Sequence, residues 1–306
     1  MYKLKKMGTF KCFFVVGNVR ASIVEEPLIP IGDLYKSDFT LMPKDLCRET
    51  LNPPRTERMD LLVVVLSAAK NFEQRNLIRS TWGNTSLFTS IRIAFIIGQT
   101  ADQTAAERII EEEQTHADLV QSNFMDSWAN LTLKHVAMLN FISQHCPKAP
   151  LVLRADDDVY VRIRDVINIS NHIKGQTNKI FCDLFGLTPI VRRPDSKYYV
   201  RQKAYGKTHF PKFCVGIAYL MTGDTIHRLL KEMLKMPYMG AEDALVTGVV
   251  AEKLGIERVG APLITKNLLS TNKPENSKNA RILSHGGLGT AVDPKLMFQL
   301  WELDQY

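Results

Sequence analysis

Residues 148–163, KAPLVLRADDDVYVRI, place three consecutive aspartates directly after an apolar segment that is typical of a β-strand. Open α/β sheets bind ligands beyond the carboxyl ends of their strands, so Asp156, Asp157 and Asp158 fall where such a fold holds substrate. In an extended chain Asp156 and Asp158 point to one side and Asp157 to the other. Two carboxylates on one side suit Mg²⁺ or Mn²⁺, which leaves positions open for phosphate oxygens. Alone the pattern is a weak signal, because acidic triplets also form turns and helix caps.

The segments on either side of this strand alternate between strand and helix patterns. Continuous apolar runs at 61–66 and 92–97 predict strands buried on both faces. A helix is expected over 72–82, and a capping box at 104–107 predicts a second helix that runs to about His116. Further elements are expected as a helix over 127–145, strands at 151–155, 180–185 and 215–221, a helix over 224–235 capped by Asp224, and a helix over 241–254 ended by Gly255. The alternation predicts an α/β fold with a mostly parallel sheet flanked by helices.

The composition is that of a globular protein that favours anionic ligands. The 306 residues are 45% hydrophobic and 23% charged, with a formal net charge of +7 and a pI near 9.1. A moderately basic balance favours an anionic ligand or surface. No dense Lys/Arg run is present, so no nucleic-acid partner is expected.

The N-terminal part of the chain lacks the alternating strand and helix patterns of the rest. Residues 12–19 form an apolar run of about eight residues, well short of the ~20 that span a bilayer. This run indicates a degenerate signal anchor, a poor signal peptide or a disordered end. Prolines and scattered charge over 20–59 indicate a stem. We therefore expect an N-terminal segment and stem over 1–59 and a catalytic domain over 60–306.

Sequons and cysteines bear on the cellular compartment. Three Asn-x-Ser/Thr sequons, at Asn84, Asn130 and Asn168, are compatible with passage through the secretory pathway. The five cysteines include no Cys-x-x-Cys pair, so the usual structural zinc patterns are absent. In an oxidising lumen one or two disulfides are expected, with the pairing left open, among Cys47, Cys146, Cys182 and Cys214.

A second acidic site, Glu242-Asp243, precedes the last predicted helix. Transfer of a sugar with inversion needs a base for the acceptor proton, a role suited to Asp243, and a cation for the departing diphosphate. A helix N-terminus stabilises carboxylates, so capping alone also explains this pair. Arg75 and Arg79 share one helix face and suit either an anionic nucleotide or internal ion pairs. His285, flanked by glycines, is either structural or a ligand that completes a Mn²⁺ site.

Several motifs occur in the order and approximate spacing of the β-1,3-galactosyltransferase family, glycosyltransferase family 31, which the chain therefore resembles over about residues 60–290. The motifs are RNLIRSTWG at 75–83, FIIG at 95–98, FMDSWANLTLK at 124–134, DDDVYV at 156–161, FPKFCVG at 210–216 and ED at 242–243. The resemblance implies a GT-A type nucleotide-sugar-binding fold. It also implies an inverting transfer that forms a β-1,3 link, and a type II Golgi membrane protein with a signal anchor and a lumenal catalytic domain.

The resemblance also implies roles for individual residues. Asp243 becomes the general base, and Mn²⁺ or Mg²⁺ is held by Asp156, Asp158 and His285, with Asp158 preferred as the direct ligand. The residues expected to contact the UDP-sugar are Arg75, Arg79, Asp156, Asp157, Lys197, Tyr198 and Glu242.

Two departures from the family pattern affect the pocket. Where the family continues after the cysteine with Ser-Gly-x-Gly-Tyr, this chain has residues 215–219, VGIAY, so two small positions are bulkier. After Asp243 one residue is added before Gly248. The first departure predicts altered dimensions of the donor pocket, and the second predicts a different acceptor side.

The leading hypothesis is a metal-dependent hexosyltransferase. It would move galactose or N-acetylglucosamine from UDP-galactose or UDP-N-acetylglucosamine to a glycan hydroxyl on a protein or lipid. The alternative is a catalytically inactive relative that binds sugar nucleotide or glycan in the secretory pathway. A third hypothesis is a metal-dependent phosphoesterase that uses the aspartate triplet.

Overall fold

The computed structural model describes residues 28–47, 59–260, 266–267, 282–284 and 294–304. The strands are β1 Phe39–Leu41, β2 Leu61–Leu66, β3 Ile91–Gln99, β4 Leu119–Met125, β5 Leu151–Asp156, β6 Val159–Val161, β7 Lys179–Phe185, β8 Thr188–Pro189, β9 His209–Phe210, β10 Phe213–Thr222, β11 Glu257–Gly260, β12 Lys266–Asn267 and β13 Ile282–Ser284. The helices are α1 Ile31–Leu34, α2 Phe72–Ser80, α3 Gln103–His116, α4 Leu131–His145, α5 Ile163–His172, α6 Ile226–Met233, α7 Ala251–Lys253 and α8 Pro294–Leu303, with a π-helical segment at Ala244–Val250.

A single large sheet organises the described residues. Its eight strands have the order β1-β4-β3-β2-β5-β10-β7-β11, and only β1 and β10 run opposite to the other six. All six residues of β2 are buried, as its continuous apolar run predicts for a strand covered on both faces. Helix α4 packs against this sheet, and its residues 132–142 are all buried. The expected α/β architecture with a mostly parallel sheet is confirmed.

The topology gathers several chain segments at one edge of the sheet. Strands β2, β3, β4 and β5 are parallel, so their carboxyl ends lie at the same edge. Strand β10 runs antiparallel to β5, with Ala218 opposite Ala155 and Thr222 opposite Leu151. The first residues of β10 therefore lie beside the end of β5. This places the aspartate triplet next to residues 215–217.

Two expectations about helix ends are corrected, and a third is confirmed with a change of helix type. The N-cap of α3 is Asp102, whose side chain accepts a hydrogen bond from the Ala105 N–H, so Thr104 is not the cap. Asp224 does not cap α6, because its carboxylate accepts the Asn178 N–H at 3.0 and 3.2 Å. The last predicted helix does end at Gly255, with φ of +65°, but much of it is the π-helical segment Ala244–Val250.

The folded unit includes residues 28–47, which the sequence analysis assigned to the stem. Strand β1 pairs with β4, Ile31 is fully buried, and Cys47 forms a disulfide with Cys146. A second disulfide joins Cys182 of β7 to Cys214 of β10. Within the described ranges no helix has the length and apolar character needed to cross a bilayer.

Candidate active site

A cleft of about 750 Å³ opens at the sheet edge where these strands end. It is lined by residues 67–71 after β2, 99–101 at the end of β3, 125–128 at the end of β4, 156–158 at the end of β5, 215–217 of β10 and 242–243, together with Leu66, Leu131, Lys134, Arg154 and Tyr198. The two acidic sites identified in the sequence, which lie far apart in the chain, thus share one cleft. Ligand binding at this edge is the usual arrangement in open α/β sheets.

Asp157, in the turn that follows β5, joins two of the cleft loops. Its Oδ2 accepts hydrogen bonds from Ser67 Oγ at 2.6 Å, Asn71 Nδ2 at 2.9 Å and the Ala68 N–H at 3.3 Å. The partners all come from the loop after β2. Asp157 lines the cleft but is largely buried, so within this structure it fixes the loop after β2 against the end of β5.

A buried ion pair fixes three of the loops to one another. Asp126 Oδ2 accepts the N–H groups of Ala69 and Gly98, both at 2.9 Å, and Asp126 Oδ1 lies 2.7 Å from Lys134 Nζ. Lys134 Nζ also donates to the Ser67 carbonyl at 2.6 Å. The sequence analysis gave these two residues no role. A lysine within the long buried run of α4 was the available signal, because a buried lysine needs a charged or polar partner.

Arg75 and Arg79 lie behind the cleft wall, and neither lines the cleft. Arg75 is fully buried and bonds Glu112 through both Nε, at 2.8 Å, and Nη2, at 2.6 Å. Its Nη1 also donates to the Ala68 carbonyl at 2.7 Å and to Ser67 Oγ at 3.1 Å. Arg79 makes a bidentate pair with Asp118 at 2.7 and 2.8 Å. The sequence left two interpretations of this arginine pair, nucleotide binding and internal ion pairing, and the structure shows internal ion pairing.

Charged side chains that line the cleft cluster around the buried Arg154. Arg154 Nη2 is 2.8 Å from Asp156 Oδ1 and 4.0 Å from Glu242 Oε1. Burial raises the pKa of Asp156 well above its usual range and, together with the Asp243 charge, raises the pKa of Glu242 to about 7. Burial also raises the pKa of Tyr219 and lowers that of His135, so both are neutral where the Tyr219 hydroxyl meets His135 Nε2 at 2.6 Å.

Asp243 is held by backbone groups on two sides. Its Oδ2 accepts the Gly216 N–H at 3.1 Å, and its Oδ1 accepts the Ala244 N–H at 2.7 Å. Within the π-helical segment, Thr247 Oγ1 donates to the Asp243 carbonyl at 2.7 Å and accepts the Cys214 N–H at 2.9 Å. Burial raises the pKa of Asp243 above its ordinary value, against the lowering effect of the Ala244 N–H. A carboxylate with a raised pKa is the stronger general base.

The carboxylates of Asp156 and Asp158 provide hard oxygen ligands on one cleft wall. Within the described ranges, no group of three or more His, Cys, Asp and Glu side chains is placed to hold a metal. Two carboxylates nevertheless fit Mg²⁺ or Mn²⁺, which take their remaining oxygens from water and substrate phosphates. The raised pKa of Asp156 also marks a site where added positive charge would favour the ionised form. His285 lies outside the described residues. Ser284, which precedes His285, pairs with Val159, which follows Asp158.

Lys197 and Tyr198 lie at the rim of the cleft. Tyr198 lines the cleft and contacts the edge of Trp128, with the ring centroids 6.5 Å apart. Lys197 Nζ lies 4.4 Å from the Trp128 ring centroid and 4.9 Å from that of Tyr198. The structure therefore brings together Asp156, Asp157, Asp158, Tyr198, Glu242 and Asp243 in one cleft, with Lys197 at its rim.

Comparison with known proteins identifies the family of this chain. The Galactosyltransferase family model matches residues 73–262. Human β-1,3-galactosyltransferase 5 is 30% identical over 253 residues, which cover 80% of this chain and 79% of that protein. Mouse UDP-GlcNAc:βGal β-1,3-N-acetylglucosaminyltransferase 7 is 29% identical over 209 residues, 65% of this chain and 52% of that protein.

Among solved structures, galactosyltransferase LgtC in complex with donor and acceptor sugar analogues is similar with a TM-score of 0.44 and 11% identity, over 79% of this chain and 95% of that chain. The family match and the mixed sheet together confirm the expected GT-A type fold. The chain therefore belongs to the galactosyltransferase family and is a UDP-sugar-dependent glycosyltransferase.

Proposed function

We propose that this protein is an inverting, metal-dependent hexosyltransferase. It transfers galactose or N-acetylglucosamine from a UDP-sugar to a hydroxyl of a glycan on protein or lipid, in β-1,3 linkage. The observation that supports this most is that Asp243 and the triplet Asp156–Asp158 line one cleft, although Asp243 follows Asp158 by 85 residues in the chain. The two named relatives, a β-1,3-galactosyltransferase and a β-1,3-N-acetylglucosaminyltransferase, support the choice of sugars and linkage.

In the proposed reaction Asp243 accepts the proton of the acceptor hydroxyl as that oxygen attacks the anomeric carbon of the donor. The new bond joins the acceptor oxygen to the anomeric carbon, and the bond from that carbon to the diphosphate oxygen breaks, so UDP leaves. The Gly216 and Ala244 N–H groups hold the Asp243 carboxylate during this step, and the raised pKa makes it an effective base.

The donor occupies the part of the cleft formed by the loops after β2, β3 and β5. Asp156, Asp157, Lys197, Tyr198 and Glu242 contact it, and Asp156, Asp158 and His285 would hold a Mn²⁺ or Mg²⁺ ion. Such a cation supplies the positive charge that stabilises a departing diphosphate. Arg75 and Arg79 contribute indirectly, since Arg75 bonds Ser67 and Ala68 from behind the loop that lines the cleft.

For the cellular location we propose the lumenal face of the Golgi membrane, with a type II anchor. The disulfides Cys47–Cys146 and Cys182–Cys214 support an oxidising compartment. The three sequons are compatible with the same compartment.

A panel of UDP-sugars tested with glycan acceptors, in Mn²⁺ and in a chelator, decides this proposal. Transfer from UDP-galactose or UDP-N-acetylglucosamine is expected, with loss of activity in the chelator. The product should show the proton coupling of a β-linked sugar by nuclear magnetic resonance. An α-linked product contradicts the inverting mechanism. Full activity in the chelator contradicts the dependence on a metal.

A second function is favoured by the bulkier residues of the donor pocket. Of the two bulkier positions, Val215 lines the cleft, and Ala218 is fully buried in β10 opposite Ala155 of β5. If they exclude the hexose, the protein is a non-catalytic binder of sugar nucleotide or glycan in the secretory pathway. Binding of UDP without transfer or hydrolysis of any UDP-sugar in the panel is the result that favours this function.

A further inference from the structure

A second cavity of about 630 Å³ adjoins the cleft. Trp128 lines both cavities, and the second is also lined by Tyr199, Tyr238 and Lys197. The indole of Trp128 is 52% exposed although it lies at the entrance to the proposed catalytic site. A large exposed aromatic ring beside a cleft commonly marks a ligand-binding surface.

The indole is fixed in place by its neighbours. Lys197 Nζ lies over the ring at 4.4 Å from its centroid, and Tyr198 contacts its edge. The turn that carries Trp128 is also anchored, because the Tyr238 hydroxyl donates to the carbonyl of Ala129. A rigid aromatic side chain provides contact area at a low cost in conformational entropy.

The second cavity is lined by the chain segment that leads to the proposed base. Met239 and Gly240 line it and precede Asp243 by four and three residues. The buried Thr132 Oγ1 donates to the Met239 carbonyl at 2.6 Å, which ties this segment to the start of α4 beside Trp128. The loops after β2 and β3, where the donor is proposed to bind, do not line this cavity. The two cavities therefore meet at Trp128, and the second is separate from the loops proposed to bind the donor.

We infer that this cavity binds the second and following sugars of an oligosaccharide acceptor, with a pyranose ring stacked on Trp128. The inference rests on the proposed function and specifies its acceptor as a glycan of at least two residues. The C–H face of a pyranose provides an apolar surface for the indole, and its hydroxyls meet the phenol of Tyr199. An alkyl chain would use the apolar ring but not this hydroxyl.

The test measures binding by saturation-transfer nuclear magnetic resonance. The probes are methyl β-galactoside, octyl β-galactoside and a β-galactose-terminated tetrasaccharide. We expect the wild-type protein to bind the tetrasaccharide at least about tenfold more tightly than either smaller probe. W128A should lower this ratio by about tenfold, and W128F should retain most of it. The matched control is F298A, which removes an aromatic ring that is 45% exposed on α8, and it should not change the ratio.

Equal affinity for the methyl glycoside and the tetrasaccharide, or an unchanged ratio in W128A, overturns the inference. Tight binding of the octyl glycoside alone also overturns it, because the occupant is then an alkyl chain.

Hydrolysis of UDP-sugars without acceptor is measured in parallel on the wild-type protein. Hydrolysis without oligosaccharide binding refutes the inference and leaves the transferase proposal standing. Oligosaccharide binding without any use of donor supports the inference and refutes transfer.

Discussion

The backbone N–H of Gly216 donates a hydrogen bond to Asp243 Oδ2 across 3.1 Å, so the start of β10 holds the proposed base directly. A Cβ at position 216 would lie 3.1 Å from Asp243 Cβ and 3.2 Å from Asp243 Oδ2. These distances are shorter than ordinary van der Waals contacts. Glycine at this position therefore lets the strand and the carboxylate approach each other.

The substitution G216A should lower kcat by about tenfold or more, with a smaller effect on KM. The added methyl group displaces the Asp243 carboxylate by a few tenths of an ångström, and small misplacements of a catalytic group are costly. Steady-state kinetics with saturating donor provide the measurement. G186A is the control, because a Cβ at position 186 meets no atom within 4 Å. Equal losses in both variants would show that the contact with Asp243 is unimportant.

Thr247 should couple the stability of the π-helical segment to activity. Its hydroxyl donates to the Asp243 carbonyl and accepts the Cys214 N–H. T247V removes the hydroxyl partner of the Asp243 carbonyl and of the Cys214 N–H, so we expect a loss of about 1–3 kcal/mol in the free energy of unfolding and a lower kcat. Urea unfolding and kinetics are the measurements. T247S keeps the hydroxyl and should restore kcat, whereas a T247S variant as slow as T247V would refute this role.

Lys134 should hold the donor loops together. K134M leaves the Asp126 carboxylate without its cation, and breaking a buried ion pair in this way costs about 3 kcal/mol in the free energy of unfolding. We also expect weaker UDP binding, since Lys134 and Asp126 together bond the loops after β2 and β3. Chemical denaturation and calorimetric titration of UDP test both effects. K231M, at an exposed lysine of α6, should change neither.

Glu113 should make stability depend on pH. Burial raises its pKa from 4.5 to about 7, although its Oε2 accepts the Leu119 N–H at 2.7 Å. Between these pH values the unfolded chain releases the proton while the folded protein keeps it, so the Glu113 contribution to stability falls as pH rises. Above about pH 7 both states are ionised and the loss is complete.

E113Q removes this titration. Relative to wild type it should be more stable at pH 8 and nearly unchanged at pH 4, as measured by urea midpoints. E111Q, at an exposed position of the same helix, provides the comparison. A stability difference between E113Q and wild type that is the same at both pH values would contradict the raised pKa.

Local patterns in the sequence were enough for the strands and for the position of the acidic groups. The apolar run Leu61–Leu66 follows from a rule that acts over a few residues. The strand-type alternation expected over Asp156–Asp158 does not apply, because β5 ends at Asp156 and residues 157–158 form a turn. Topology then brings Asp243 to the aspartate triplet, because the start of the antiparallel strand β10, where Gly216 bonds Asp243, lies beside the end of β5. The family resemblance predicted that meeting before the structure showed it.

Features that depend on distant partners were not predictable in the same way. Asp224 has the residue type of a helix cap but bonds Asn178, 46 residues earlier in the chain. Asp102 and Thr104 are both suitable N-caps, and local sequence does not decide between them. The bonds from Lys134 to Ser67 and from Thr247 to Cys214 depend on tertiary packing, so their roles emerged only from the structure.

The central claim is that Asp243 acts as the base of a metal-assisted sugar transfer. Its most direct test compares transfer by wild type and D243N, from UDP-galactose and UDP-N-acetylglucosamine in Mn²⁺, with calorimetric binding of UDP and Mn²⁺ measured on the same samples. D33N, at an exposed aspartate of α1, serves as the matched control. We predict active wild-type and D33N proteins, and a D243N variant that binds UDP with Mn²⁺ normally but has lost at least about a hundredfold in transfer rate. Undiminished turnover by D243N would contradict the claim.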